Sequence, residues 1–567
     1  MHHRGRGAAV RRLRVQDSSH SRAVRIASSS APRHDPGVDT ADPQKTWYVF
    51  EERQAFSRSV LWELQRQYFR TRSLAAWQQE EVPQYITTNP TVANSYAEIV
   101  FGFLRDDERL HEAQDEPLHV CELGAGSGRF AFHFLCRLRE LCEQHGLPLD
   151  RFRYVLTDLA EANLAFFRGH PRFAPFFEAG VLDTAPFDVV SSADLALQGS
   201  GRTIAAGTLA RPLVVFANYL FDSVPQDLFH VHEGECEQAL VTLAVDEDPR
   251  GLEPGELLAR LDYRLDYEPL DGPAYEEASL QRILDDYRRT VREAYLSIPS
   301  AGLRCLQRMK EWSSRGLLLV SVDKGYHRMA ADAGASAGFL RHGSFSLDVN
   351  YDAIARFCAN DDGIALLPAL QPQSVSVSAF LMVDRAEEHV DTQRAYRRHV
   401  EEFGPDDFYT LTRYLRKNIG SMALEELLAC VRLAHHDATQ FARYLPRLLA
   451  LAPDLDEDER AAVAATIDRV WARYFPLGDA SDLAFDIGRL LYELDDYRGA
   501  IRFFEQSLAA YGEHAGTLGN LAMCHRMLGE HGEAEALLRQ VAEREPGDVA
   551  AQAMPAAFRT AVPLPPW

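Results

Sequence analysis

A carboxylate and three alternating glycines, Glu122, Gly124, Gly126 and Gly128, stand in LHVCELGAGSGRFAFHFL (118–135), where an apolar run gives way to a helical pattern. Glycines directly after a strand and before a helix let the backbone turn tightly and approach a ligand with no side chain in the way. Two phosphate-binding patterns fail here. A dinucleotide fingerprint needs glycine at position 129, which is Arg129, and no Gly-Lys-Ser/Thr follows to make a Walker A loop. A carboxylate at Glu122 repels a pyrophosphate and suits a cationic ligand. Downstream, Asp158 closes RYVLTD, Asp183 closes GVLD and Asn218 closes LVVFAN. Open α/β sheets bind ligands at the carboxyl ends of their strands, so four consecutive strand ends would line one edge with polar groups. Asp158, at the end of the second strand, is placed to accept both hydroxyls of a ribose, through charge-assisted bonds worth roughly 1.5–3 kcal/mol each.

The elements that must position these residues follow from periodicity. Helical spacing runs through SRSVLWELQRQYFR and TVANSYAEIVFGFLRD. Then come a strand (LHVCELG), a helix ending on Gly146, a strand (RFRYVLTD), a helix (LAEANLAFFRGH), a strand (FFEAGVLD) and a continuous apolar strand (RPLVVFANYLFD). After an insertion at about 228–312, GLLLVSVDKG and VSVSAFLMV supply two more strands. The alternation predicts an α/β fold with a parallel sheet covered by helices on both faces. The insertion reads as a hairpin (LFHVHEGECEQALVTLAV) and a long helix (YEEASLQRILDDYRRTVREAYLSI), serving as a lid or as a packing embellishment.

Beyond the charge-rich stretch 384–406 the pattern is helical throughout. IGRLLYELDDYRGAIRFFEQSL and LAMCHRMLGEHGEAEALLRQVA align with a period of 34, which places Gly488 on Ala522, Leu494 on Leu528, Ala500 on Ala534 and Phe504 on Leu538; Pro546 closes the second unit. This spacing resembles tetratricopeptide repeats. Such solenoids present a concave surface to peptides, so a protein partner is expected there. Residues 405–475 are expected to add degenerate helical hairpins, because about three units are needed for a stable stack.

The 567 residues carry a net charge of −23. That charge argues against nucleic acid or an anionic membrane as partner. No apolar run approaches the roughly 20 residues of a membrane span. Eight scattered cysteines without a CxxC pair read as free thiols in a reducing compartment, and no metal site is expected. Residues 1–34 hold eight Arg and one acid, Asp17. They are a disordered tail or over-extended start in a cytoplasmic protein, or a transit peptide in a mitochondrial one.

The pattern Glu-x-Gly-x-Gly-x-Gly resembles motif I of class I S-adenosylmethionine methyltransferases. VVFANYLFDSVPQDLF resembles the Asn-Glu-x-x-Asp-Ala-x-Pro signature of the MidA-like branch, YITTNPTVANSYAEIVFGFL its upstream Thr-Ser helix, and GLLLVSVDKGY with RHGSFSLDVNYDAI its late strand and acidic block. The resemblance spans about residues 50–385 and implies a Rossmann-like class I methyltransferase domain with S-adenosylmethionine as cofactor. It assigns Glu122, Gly124, Gly126 and Gly128 to the methionine end, Asp158 to the ribose, and Asp183 with Leu182 to the adenine. Asn218, Tyr219, Asp222 and Asp323 fall to the acceptor side. The family's methylation of a protein arginine is the implied activity. Three departures stand out: Asn218-Tyr219 for Asn-Glu, Asp323-Lys324-Gly325 for Asp-Tyr-Gly, and Gly124-Ala125-Gly126 for Gly-Pro-Gly. The expected organisation is a tail (1–45), the methyltransferase domain (46–385), a linker (386–406), a helical repeat domain (407–550) and a tail (551–567). A methyltransferase acting on a protein held by the repeats is the leading expectation. An inactive S-adenosylmethionine-binding scaffold or assembly factor and a small-molecule methyltransferase are the alternatives.

Overall fold

A computed structural model describes residues 47–78, 84–112, 115–329, 332–333, 339–342, 344–478 and 481–544. The expectations for residues 1–34, for Pro546 and for the C-terminal tail fall outside them. The central sheet has seven strands: β1 (Leu118–Leu123), β2 (Phe152–Asp158), β3 (Leu182–Pro186), β4 (Leu213–Asn218), β5 (Gly316–Asp323), β6 (Ile364–Leu366) and β7 (Ser376–Val383). Their spatial order is β3-β2-β1-β4-β5-β7-β6, with β7 antiparallel to both neighbours. This is a Rossmann-like, doubly wound α/β arrangement. The strand order reverses between β1 and β4, and the crevice at that switch point is where such sheets bind ligands.

Every residue of β1 and β5 is buried, which accounts for their unbroken apolar runs. Alternate side chains serve two cores. Val120, Tyr154, Phe216 and Val320 pack with α4 (Pro90–Leu110) and α5 (Arg129–His145) on one face. Cys121, Val155, Val215 and Leu319 pack with the opposite layer. All eight cysteines are buried and unbridged. Among the described residues, no helix is long and apolar enough to cross a membrane.

Two expected elements differ. FFEAGVLD is not one strand: Ala174–Glu178 forms a short helix begun by Pro175, Gly180 turns at φ +65°, and β3 starts only at Leu182. The long helix of the insertion stops at Thr290, and Glu293–Ile298 pairs antiparallel with Asp227–His232. That strand belongs to a second, six-stranded sheet, in which the expected hairpin joins Asp227–His232 to Glu235–Val245. Its two-residue turn, Glu233-Gly234, has both φ values positive, as tight hairpins require.

The charge-rich stretch 386–406 is largely helical and packed. Thr392 and Tyr396 are buried, Asp106 of α4 accepts the Asp391 and Thr392 amides, and a Cβ at Gly102 would meet the Asp391 carbonyl at 2.8 Å. Beyond it the chain is helical: α6 (Leu424–Leu433), α7 (Ala438–Leu451), α8 (Glu457–Arg473), α9 (Leu483–Glu493), α10 (Tyr497–Tyr511), α11 (Ala515–Met527) and α12 (His531–Arg544). The repeat logic is visible in α9 and α10, where a Cβ at Gly488 would stand 2.6 Å from the Phe504 ring. Ala522 and Leu538 make the equivalent contact in the next hairpin.

Candidate functional site

The loop after β1 is tied to β2 before any ligand is considered. Ala125 N donates to Thr157 O (2.8 Å) and Gly126 N to Asp158 Oδ2 (3.1 Å). Gly126 and Gly128 need glycine twice over. Their φ values are +59° and +74°, and an added Cβ would lie 3.1 Å from the Trp77 indole and 2.9 Å from the Phe167 ring. Gly128 then caps α5.

A cavity of about 250 Å³ opens at the strand ends. Glu122, Gly124 and Gly126 line it, as do Asn218, Tyr219 and Asp222. Phe69, Trp77, Gln84, Thr87 and Thr88 contribute from the N-terminal segment, and Lys324 and Asp348 complete the lining. Glu122 is 3% exposed and accepts the Tyr154 hydroxyl on Oε2 at 2.8 Å. Burial pushes its carboxyl up to about 8; the Tyr154 bond pulls against that rise and Asp158 adds to it. A cation in the cavity would favour the carboxylate and reverse the shift.

Asn218 ends β4 and accepts the Tyr96 hydroxyl at 2.7 Å, which leaves its Nδ2 buried and without a partner. Tyr219 follows at φ +48°, a conformation rare for a bulky residue. Burial raises its hydroxyl pKa, and Asp323 and Asp222 raise it further. Asp222 accepts the Ser223 hydroxyl at 2.7 Å. Burial lifts its carboxyl to about 7. Asp323, at the end of β5, is fully buried; Oδ1 accepts the Lys324 amide and Oδ2 has no partner. Burial and then the Asp222 charge push it upward as well. Two carboxyls sharing a dry site do not both ionise readily, so the pair titrates as a unit. Lys324 Nζ pairs with Asp348 at 3.3 Å.

The structure thus gathers Glu122, Gly124, Gly126, Asn218, Tyr219 and Asp222 around one cavity, with Asp323 behind Asp222. Gly128 and Asp158 support the loop: Asp158 gives one oxygen to Gly126 N and the other to Ala160 N. Asp183 and Leu182 lie elsewhere. Asp183 is the second residue of β3 and pairs in register with Val155, while Pro186 stands opposite Asp158. Its carboxylate is consumed by the Gly199 and Ser200 amides (2.7 and 3.0 Å). Leu182 is buried in the core with Phe173 and Phe176. The strand begins later than its apolar run suggests, so the acid falls at the wrong end. Trp77, Gln84, Lys324 and Asp348 were not anticipated. Thr87 and Thr88 sit in YITTNP, whose resemblance to the upstream Thr-Ser helix was the one signal for that wall.

The tetratricopeptide repeat family matches residues 491–557. No curated protein matches this chain. Among solved structures, the chain is similar to two from Burkholderia thailandensis. One, an uncharacterized COG1565 superfamily protein, shares 15% identity at a TM-score of 0.37. The other, a COG1565 superfamily member bound to S-adenosyl-homocysteine, shares 16% at 0.38; each match covers 60% of this chain and 90% of the other.

Proposed function

We propose that this chain is an S-adenosylmethionine-dependent methyltransferase acting on a nitrogen of a protein side chain, an arginine guanidinium being one acceptor of suitable charge. The observation that carries the reading is a single cavity lined by the glycine loop, Glu122, Asn218 and Asp222, with the buried Asp323 carboxyl raised by the Asp222 charge. When bound, the cofactor supplies an electrophilic methyl group on a sulfonium. The residues present fit it: Glu122 meets a cationic methionine end, the glycine loop offers a close backbone, Asp158 fixes that loop beside the ribose, and the free Asn218 Nδ2 offers a hydrogen-bond donor. Asp183 and Leu182 take no part.

Bound there, the cofactor would give that methyl to an acceptor nitrogen, its sulfur keeping the bonding pair. Asp222 accepts the proton that the acceptor nitrogen sheds, a task suited to a carboxyl with a pKa near neutrality. Burial sets that pKa, and the Asp348 charge adds to it. The walls hold the two reactants in line and exclude water. Residues 46–385 form the catalytic domain in this reading, and the repeats within 407–550 present a docking face to the protein substrate.

Calorimetric titration with S-adenosylhomocysteine, beside Asp158→Ala, tests the cofactor site. Saturable binding, weakened by roughly 10-fold or more in the variant as the loss of about 1.5–3 kcal/mol demands, is the expected result. A folded wild-type protein that binds nothing would overturn it. A non-catalytic scaffold is favoured by one feature, Tyr219 in place of the family's acid. It predicts binding without transfer of labelled methyl to co-purifying protein.

A further inference from the structure

The short segment that covers the cavity is fastened to the C-terminal helical region. Trp77 belongs to α2 (Ala75–Gln78), Gln84 is the N-cap of α3 (Tyr85–Thr88), and Thr87 and Thr88 lie within α3. A four-residue helix has no stability of its own. Local bonds hold part of it: the Thr87 and Thr88 amides and hydroxyls return to Gln84 O, Gln84 Nε2 donates to Trp77 O at 3.1 Å, and Asn89, the N-cap of α4, donates Nδ2 to Tyr85 O and Ile86 O at 3.0 Å. The other holdfasts lie elsewhere. Tyr85 OH donates to Asp437 Oδ2 at 2.6 Å and accepts from Gln440 Nε2 at 2.6 Å. Asp437 and Gln440 are 4% and 0% exposed. Asp437 is itself fixed as the N-cap of α7, accepting the Thr439 and Gln440 amides. The Arg443 guanidinium lies over the Tyr85 ring at 5.4 Å. At the other end of the segment, Gln78 Nε2 donates to Leu477 O at 2.6 Å.

We propose that Asp437 and Gln440 are positioning residues of the cofactor site: by seating Tyr85 they fix Gln84, Thr87 and Thr88 on the cavity wall, so the helical region completes the site as well as docking a partner. The cofactor assignment rests on the proposed function above; the seat itself does not. Energetically, a buried hydroxyl between a carboxylate and an amide is specified in both distance and direction. Losing it cuts the wall's tie to α7 and leaves only its local bonds to Gln84 and Asn89. Ligand in the cavity and any strain on α7 are then coupled through one tyrosine.

Tyr85→Phe keeps the ring and removes the hydroxyl; Gln440→Leu keeps the volume and removes the donor. Both are made in the full chain, with Arg502→Ala, which breaks an exposed pair with Asp468 on the helical region, as control. Amide exchange at Thr87 and Thr88 is expected to rise at least tenfold in the first two, with exchange in α9–α12 unchanged. Their affinity for S-adenosylhomocysteine is expected to fall three- to tenfold, and the control to change neither. Unchanged exchange at residues 84–88 would overturn the seat. Faster exchange with unchanged affinity would overturn its role in the site. A wild-type protein that binds no S-adenosylhomocysteine, while the variants still speed exchange, would sink the methyltransferase reading and leave the seat standing. Should Gln440→Leu fail to fold, Tyr85→Phe decides alone.

Discussion

Glu122 and Trp77 both line one cavity and reach it by different routes. Glu122 is carried on a strand whose neighbours fix it residue by residue, and the loop after it is bonded to the next strand. Trp77 stacks on Phe69 in a short segment whose Gln78 and Tyr85 are bonded to residues far along the chain. The first wall is set by sheet geometry. The second is set by docking. Chemistry that needs fixed charge belongs on the first, and adjustment to a ligand belongs on the second.

The sharpest break of this division is Asp222→Asn. It should lower methyl transfer by about 10²–10⁴-fold, with S-adenosylhomocysteine affinity within roughly twofold; an equal loss of both in calorimetry and transfer assays would merge the two functions. Gly126→Ala comes next. Forcing a Cβ against the Trp77 indole at φ +59° costs about 1–2 kcal/mol, roughly 5–30-fold in affinity, measured by the same titration.

Glu122→Gln tests the charge. The free carboxyl titrates at about 8, so binding of the cationic cofactor should tighten about tenfold per pH unit up to that point and then level, while the Gln variant stays flat. The sign for stability is opposite. A carboxyl raised from 4.5 to about 8 on folding contributes stability that is full below pH 4.5 and is lost as pH rises through 8, so melting temperatures of the free protein should fall over that window and the variant should lose this slope. The smallest effect is expected of Lys324→Ala. Its partner is half exposed, and unfolding should move by no more than about 1 kcal/mol in a denaturant titration.

The sheet wall was largely readable in the sequence. Apolar runs ending in Glu122, Asp158 and Asn218 mark strand ends because a buried strand tolerates a polar group only where it leaves the core. Asp183 misleads for the same reason. Phe176 and Phe177 extend the apolar run backward, yet Pro175 starts a helix there and Gly180 turns the chain, so the strand is displaced by several residues. Glu293–Ile298 continues a helical pattern but is claimed by a neighbouring strand, a tertiary effect no local period contains. The docked wall left almost no local trace. Nothing about Gln84 or Trp77 announces a ligand, because their positions depend on Asp437, Gln440 and Leu477. The period-34 spacing did expose the helical hairpins, since small residues must recur where Gly488 meets Phe504.

The seat of Tyr85 also fixes an order in time. Its partner Asp437 follows it by 352 residues. At about 5–20 residues per second, a ribosome needs roughly 20–70 s to make that span. All seven strands of the central sheet are complete by Val383, before Asp437 has been synthesised. A nascent chain therefore passes through a stage in which the sheet and the glycine loop exist but the cover has nothing to fasten to, and the site matures only when α7 arrives.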